Sequence, residues 1–229
     1  MDSIHDSVYG GQNWQNRCKT KTLETVTADH AWCEFLRAEF QERLPTLKPE
    51  CERLTTTPDF GDVSANDRRR ELLRSIRGPI VDSIPADSAW TRVRLSPEDC
   101  LALRLLAYRS WWALSDGDLM LRRAAENLYD PDWILSGQVV ASLGSSLGAV
   151  RDEIEIIRVK VSRLRATGTA YGLPILIRDA GRGDMTIIDG CHRMTALLIR
   201  TEFFKRDQPE IEAYLGTSAN MSSSRWLAR

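Results

Sequence analysis

Thr186-Ile187-Ile188-Asp189-Gly190-Cys191-His192-Arg193-Met194-Thr195-Ala196-Leu197-Leu198-Ile199 decides how this chain is read. Its opening β-branched run has the character of a buried strand. Gly190 permits a tight turn, and from Cys191 onward the apolar residues recur at helical spacing. An acid, a thiol, an imidazole and a guanidinium thus meet at a strand-to-helix corner. A helix start directs backbone N–H groups outward and carries about half a positive charge, so anions bind there readily. His192 and Arg193 add a second donor and a fork that matches phosphate oxygens. Strand-glycine-helix corners are commonly structural, but this one carries the charge that a phosphate site needs.

Working outward, Pro174–Arg178 and Met185–Ile188 are short β-branched runs separated by Asp179-Ala180-Gly181-Arg182-Gly183-Asp184, a strand-turn-strand signal. After the box, a helix is expected to about Phe204, then a strand over Ile211–Leu215, a polar turn Gly216-Thr217-Ser218-Ala219-Asn220 and a short helix carrying Trp226. Upstream, Trp90–Leu95 alternates with period two and reads as a strand. Ser96-Pro97-Glu98-Asp99 then starts a helix, with a cap, a proline in the first turn and acids facing the dipole, and Leu101, Leu105, Leu106 and Tyr108 continue its apolar side. Helical spacing over Asp152–Arg165 ends at Gly168, and Asp130-Pro131 and Gly144 punctuate the region before it.

Residues 1 to about 25 are polar and turn-rich and read as an arm. Thr27 caps a helix bearing Trp32, Phe35, Leu36, Phe40 and Leu44, which ends at Pro45. A second helix spans about Ser64 to Arg77, with Leu72, Leu73 and Ile76 inward and Arg68, Arg69, Arg70 and Arg74 outward. That basic face is more often solvated than a binding patch. Gly78-Pro79 and the residues that follow look like a linker, so a domain boundary is expected near residue 80.

The totals exclude several classes. The 229 residues carry 31 basic against 32 acidic side chains, no global bias towards nucleic acid. No apolar run approaches the roughly 20 residues that span a bilayer, and the first residues do not resemble a signal peptide, so a cytoplasmic protein is expected. The five cysteines are scattered and never spaced as a metal pair, which favours reduced thiols.

On Asp189-Gly190-Cys191-His192-Arg193, on the paired strands before it and on Tyr214-Leu215-Gly216-Thr217-Ser218, the chain resembles the ParB/sulfiredoxin superfamily, whose members bind nucleotide phosphates at a Gly-x-His-Arg or related box. The match covers about residues 170 to 220 well, 90 to 170 only by element order, and 1 to 80 not at all. The resemblance implies an α+β fold with a small mixed sheet and packed helices. To it are added a helical N-terminal extension over residues 1–80 and, within the nucleotide-binding domain at 81–229, a helical insertion at about 100–166.

Within the superfamily the Asp-Gly-x-His-Arg pattern is that of the free-serine-kinase branch, whereas sulfiredoxins carry glycine where Asp189 stands. The resemblance therefore implies an ATP- or ADP-dependent phosphotransferase acting on a small-molecule hydroxyl, such as that of a free amino acid. Asp189, His192 and Glu98 are the expected catalytic residues, with Asp99 as substitute for Glu98 and Asp189 as the Mg2+ ligand. Gly190, Cys191, His192, Arg193, Thr195, Thr217 and Ser218 are expected to hold the nucleotide, with Asn220 as an amide donor and Arg225 and Trp226 closing the pocket, Trp226 having the alternative reading of a core residue.

Two alternatives stand beside it. A sulfiredoxin-like sulfinic acid reductase would use Cys191 as nucleophile, where a helix start and an imidazole would activate a thiol. A non-catalytic nucleotide-gated module would bind a partner through the basic N-terminal face. The partition branch is disfavoured, because too few residues follow the box for a helix-turn-helix, and DNA is not an expected partner. Asp189 has a structural reading as a helix cap, Glu98 as a first-turn acid, and Thr217 and Ser218 as a capping turn.

Overall fold

The computed structural model describes residues 20–129, 147–167, 172–203, 210–224 and 226. The N-terminal arm before residue 20, Asp130-Pro131, Gly144, Gly168, Phe204 and Arg225 lie outside the described residues. The fold is α+β, built on a five-stranded mixed sheet. Its strands are β1 (Lys21–Val26), β2 (Ala89–Leu95), β3 (Ile175–Asp179), β4 (Met185–Asp189) and β5 (Ile211–Ser218), in spatial order β1-β2-β5-β3-β4. All neighbours are antiparallel except β3 and β5, which are parallel. The helices are α1 (Ala28–Arg43), α2 (Lys48–Thr56), α3 (Val63–Val81), α4 (Pro97–Leu101), α5 (Arg109–Leu114), α6 (Leu121–Tyr129), α7 (Leu147–Thr167) and α8 (Cys191–Leu198). Among the described residues no helix is long and apolar enough to cross a membrane.

The N-terminal segment is part of the main core. Lys21–Val26, expected in an arm, is the outer strand β1, paired with β2 from Lys21↔Arg94 to Val26↔Trp90. Its polar sequence KTLETV hides this role, since an edge strand held by main-chain pairing needs no apolar face and is protected by its charges. Trp32 of α1 packs edge-on against Trp90 of β2, with ring centroids 5.2 Å apart, and both belong to one apolar cluster with Leu73 of α3, Ile175–Ile177 of β3 and Leu197 of α8. The boundary expected near residue 80 falls inside α3, across which that cluster is continuous.

The helix α3 absorbs the Gly78-Pro79 pair by kinking rather than ending: Arg77 takes φ −134° and ψ 21°, and helix resumes beyond it. Arg69, expected to face out, is buried and donates from Nε to the Leu54 carbonyl. Arg68 pairs with Glu50 and Glu71, Arg70 with Asp29 and Asp67, and Arg74 with Asp82. Acids on the same and neighbouring helices therefore neutralise the basic run. Thr27 does precede α1, but its hydroxyl bonds His30 Nδ1 rather than a backbone amide.

Ser96 caps as expected, and Asp99 returns the bond, each side chain accepting from the other's backbone N–H. The helix they start stops at Leu101, earlier than its apolar pattern suggests. Leu103, Leu105 and Leu106 are all buried, and Arg104 pairs with β4: its N–H donates to Met185 O at 2.9 Å and its carbonyl accepts from Ile187 N at 2.8 Å. This bridge covers the outer edge of β4, the strand that delivers Asp189.

The strand β5 outruns its expected end at Leu215. Gly216 lies opposite Trp90, and a Cβ there would sit 2.9 Å from the indole ring, so only glycine lets the strand pass beneath it. Gly216→Ala should accordingly cost about 1–3 kcal/mol through overpacking, read as a lower urea midpoint. An unchanged midpoint would show that the indole moves aside freely.

Candidate functional site

The site is built at the end of β4. Asp189 is the last strand residue, Gly190 follows at φ 95° in the left-handed region, and α8 begins at Cys191. Glycine is required here twice over: by its φ, and because a Cβ would lie 3.0 Å from Arg193 Nη2 and 3.2 Å from Pro174 Cβ. One helical turn beyond Asp189, Arg193 folds back and its Nη2 donates to Asp189 Oδ2 at 2.6 Å. The side chains are only 10 % and 16 % exposed respectively, so this is a nearly buried pair across the corner. Arg193 Nε is buried with no hydrogen-bond partner.

Burial pushes the Asp189 carboxyl above the ordinary carboxylate range, and the charge of Glu39 pushes the same way. Arg193 opposes this by attraction and by its hydrogen bond, and Arg77 opposes it more weakly. Arg193 is thus what offsets the cost of a buried charge at this position.

Helices from the N-terminal region reach the same place. Glu34 of α1 accepts from Leu173 N at 3.1 Å, and a Cβ on Gly172 would meet Glu34 Oε1 at 2.9 Å and Arg193 Nη1 at 3.0 Å. That glycine is therefore pinched between an N-terminal acid and the arginine of the box. Glu39 holds Arg77 of α3 at 2.6 Å, and Arg77 stands at the α3 kink. Trp226 Nε1 donates to Pro79 O at 2.8 Å and its ring packs on Tyr108 at 4.7 Å, bracing the kink from the C-terminal side. His192, half-buried, lies 5.2 Å from the ring of buried Trp111 of α5.

The expected site residues divide into those gathered here and those placed elsewhere. Asp189, Gly190, His192 and Arg193 share the corner. The Cys191 side chain is buried and its Sγ donates to Ile187 O at 3.6 Å, so the thiol points into the protein. Thr195 is fully buried and donates to Cys191 O within the helix, so its hydroxyl does not line the corner.

Glu98 is exposed beyond the end of β2, and β5 and β3 lie between β2 and β4. It sits on the first turn of α4, and no contact joins it to the Asp189 corner among those described. Asp99, its substitute, is consumed by the Ser96 cap. Thr217 and Ser218 belong to β5, not to a turn, at the opposite end of the sheet. Asp189 and Tyr214 both register with Ile175, whereas Ser218 registers with Asp179, about 13 Å further along at the usual strand rise. There Ser218 donates to Asp87, which also accepts from Asn220.

Arg77, Glu39 and Glu34 were not foreseen in the sequence. The usable signal was Gly78-Pro79 inside an otherwise helical pattern, which marks a kink as readily as a linker.

Among the described residues no group of three or more His, Cys, Asp or Glu side chains could hold a metal ion. Asp189 alone does not fit as a magnesium ligand, because its carboxylate is already tied to Arg193 and burial disfavours its charge. A phosphate fits better: the N-cap is a glycine with no capping side chain, and beside it stand a guanidinium with an orphaned Nε and an imidazole. Comparison with protein-family models, with curated proteins and with solved structures returns no match to this chain.

The ion pair generates a test with a defined sign. A carboxyl whose folded pKa is raised makes its contribution below the unfolded value, near 3.8, and loses it as pH rises through the folded value. Arg193→Met removes both influences by which the arginine holds that pKa down. It should destabilise by about 3–5 kcal/mol at pH 8, as for a buried charge left unpaired, and by distinctly less at pH 5. Urea denaturation at both pH values reads this, and an equal loss at each would mean that Asp189 is not the group relieved.

Proposed function

We propose that the corner binds the phosphates of a nucleotide and that the chain is an ATP- or ADP-dependent phosphotransferase acting on a small-molecule hydroxyl, built on a ParB/sulfiredoxin-like fold. The observation that carries this reading is the Arg193 guanidinium, anchored by Asp189 at 2.6 Å beside an α-helix start whose N-cap is glycine. Phosphoryl transfer asks a protein chiefly to hold the phosphates, neutralise developing charge and aim the acceptor oxygen. A fixed guanidinium at a helix start meets the first two demands.

In this reading Asp189 is a positioning residue. It sets the plane of Arg193 and limits its side-chain freedom, which reduces the cost of ordering it around a ligand. His192 sits on the first turn of α8, half-buried against Trp111, and is the second residue proposed to contact the phosphates. Nucleotide and a small hydroxyl compound are the proposed partners.

The sulfiredoxin-like alternative requires a presented thiol, and the buried Cys191 side chain speaks against it. The nucleotide-gated module loses its support with the basic face, whose arginines are paired within the N-terminal helices or buried among them.

The test is turnover of ATP, with magnesium and a panel of amino acids and small alcohols, followed as ADP and phosphorylated product. His192→Ala and Arg193→Met should each lower kcat/KM by about a hundredfold or more, while Cys191→Ala retains wild-type turnover. Loss of activity in Cys191→Ala, with reduction of a sulfinylated peroxiredoxin by the wild type, would replace the proposal by the thiol chemistry. Absence of any nucleotide binding would end it.

A further inference from the structure

The helix α7 carries apolar side chains on two sides, and only one side is covered. Ile154 and Ile157 are buried, and Val161 packs against the main core. Ile156 and Val159, turned away from that face, are 42 % and 41 % exposed. They belong to the run Asp152, Ile156, Val159, Arg163, whose alternating spacings of four and three residues keep side chains in one stripe along a helix. Asp152 and Arg163, the two ends of the stripe, are exposed as well.

The exposure is regional. Among the described residues the exposed large apolar side chains are Val63, Trp112, Tyr129, Ile156 and Val159, and all but Val63 lie on α5, α6 and α7. These helices form one layer: α5 packs against α6 and α7, and both α6 and α7 pack against α8. Single exposed apolar residues need no explanation, but their concentration in one layer marks a contact surface. Trp112, on the helix adjoining α7, extends that surface beyond a single helix.

We propose that the stripe pairs with the same stripe of a second copy of the chain, the two α7 helices running antiparallel about a two-fold axis between Ile157 and Arg158. The order of the residues selects both the occupant and its direction. About that axis Ile156 faces the partner's Val159, and Asp152 faces the partner's Arg163, once at each end. The stripe is thus its own complement, an apolar centre flanked by opposite charges, which is what an isologous interface requires. A parallel pair would instead set acid against acid and guanidinium against guanidinium. Within one chain Asp152 and Arg163 are eleven residues apart, about 16 Å along the helix, too far to pair with each other.

This inference does not depend on the phosphate reading of the corner, and it gives the helical segment at about 100–166 a role of its own. The test is sedimentation velocity of the full chain over a range of protein concentrations, with circular dichroism showing that each variant keeps its fold. The wild type should pass from monomer to dimer as concentration rises. Ile156→Asp, which puts a charge at the centre of the contact, should weaken the dimer by about thirtyfold or more.

Asp152→Arg and Arg163→Asp each bring like charges together at both ends, so each should weaken the dimer about tenfold at low salt and less at high salt. The double variant Asp152→Arg with Arg163→Asp restores opposite charges in reversed order, and should return to within about threefold of the wild type. A wild type that stays monomeric at every concentration overturns the proposal, whether the stripe is left to water or covered by another part of the chain. A dimer indifferent to Ile156→Asp is held elsewhere and overturns it equally. A dimer that Ile156→Asp dissociates, but whose charge variants are not rescued by the double swap, overturns the antiparallel arrangement.

Discussion

A carboxylate at the last position of a buried strand remains charged only if a cation is brought to it, and here that cation is Arg193, one helical turn downstream. The bond fixes more than two side chains. It requires Gly190 to take a left-handed φ so that α8 turns back over the strand, and it requires the backbone at Gly190 to be bare because Arg193 Nη2 would lie 3.0 Å from any Cβ there. Gly172 on the approach to β3 is held to the same standard by Arg193 and Glu34. One ion pair therefore sets the residue type at two turns and the direction in which the helix leaves the sheet.

The N-terminal helices answer to the same constraint. Asp189 lies level with Ile175, Tyr214 and Arg92 across the sheet. The charges felt by Asp189 and by Tyr214 include Glu39 and Glu34 of α1 respectively. Since α1 is also seated through Trp32 on Trp90, and the strand β1 before it is hydrogen-bonded to β2, its acids are delivered to the corner by packing rather than by a flexible tether. The kink at Arg77 continues this logic. A helix that stayed straight through Gly78-Pro79 would clash at the proline ring, and the departure from helical geometry occurs at the residue that carries the guanidinium.

How far the amino-acid order reveals this depends on the range of the interaction. The strand, glycine and helix of the corner were legible because they are local, and so was Ser96 as a cap; the Asp189–Arg193 bond and the return bond from Asp99 were not, although both are local. The strand β1 was not legible, because main-chain pairing at a sheet edge leaves no hydrophobic period to read. The segment after Leu101 misled for the opposite reason: Leu103, Leu105 and Leu106 look like a helix face, but the backbone of Arg104 finds its partners on β4, far away in sequence. Arg69 was assigned to solvent by its charge, although carbonyls of the α2 turn and of the following loop satisfy it inside. Glu39 and Arg77 lie 38 residues apart and meet only through helix packing.

Saturation of hydrogen bonds separates the two ends of the sheet. At the far end, Ser218 donates to Asp87 and accepts from Asn220 N, and the Asn220 side chain donates to the other oxygen of Asp87. These groups close a turn and hold the loop before β2, so the hydroxyl-rich stretch after Gly216 is explained by its own bonds. At the Asp189 end Arg193 and Arg77 each hold an acid, while the Nε of each is buried without a hydrogen-bond partner. The corner is therefore organised by the Asp189–Arg193 pair and not by the thiol that first draws attention to it, whose Sγ bonds Ile187 O inside the protein.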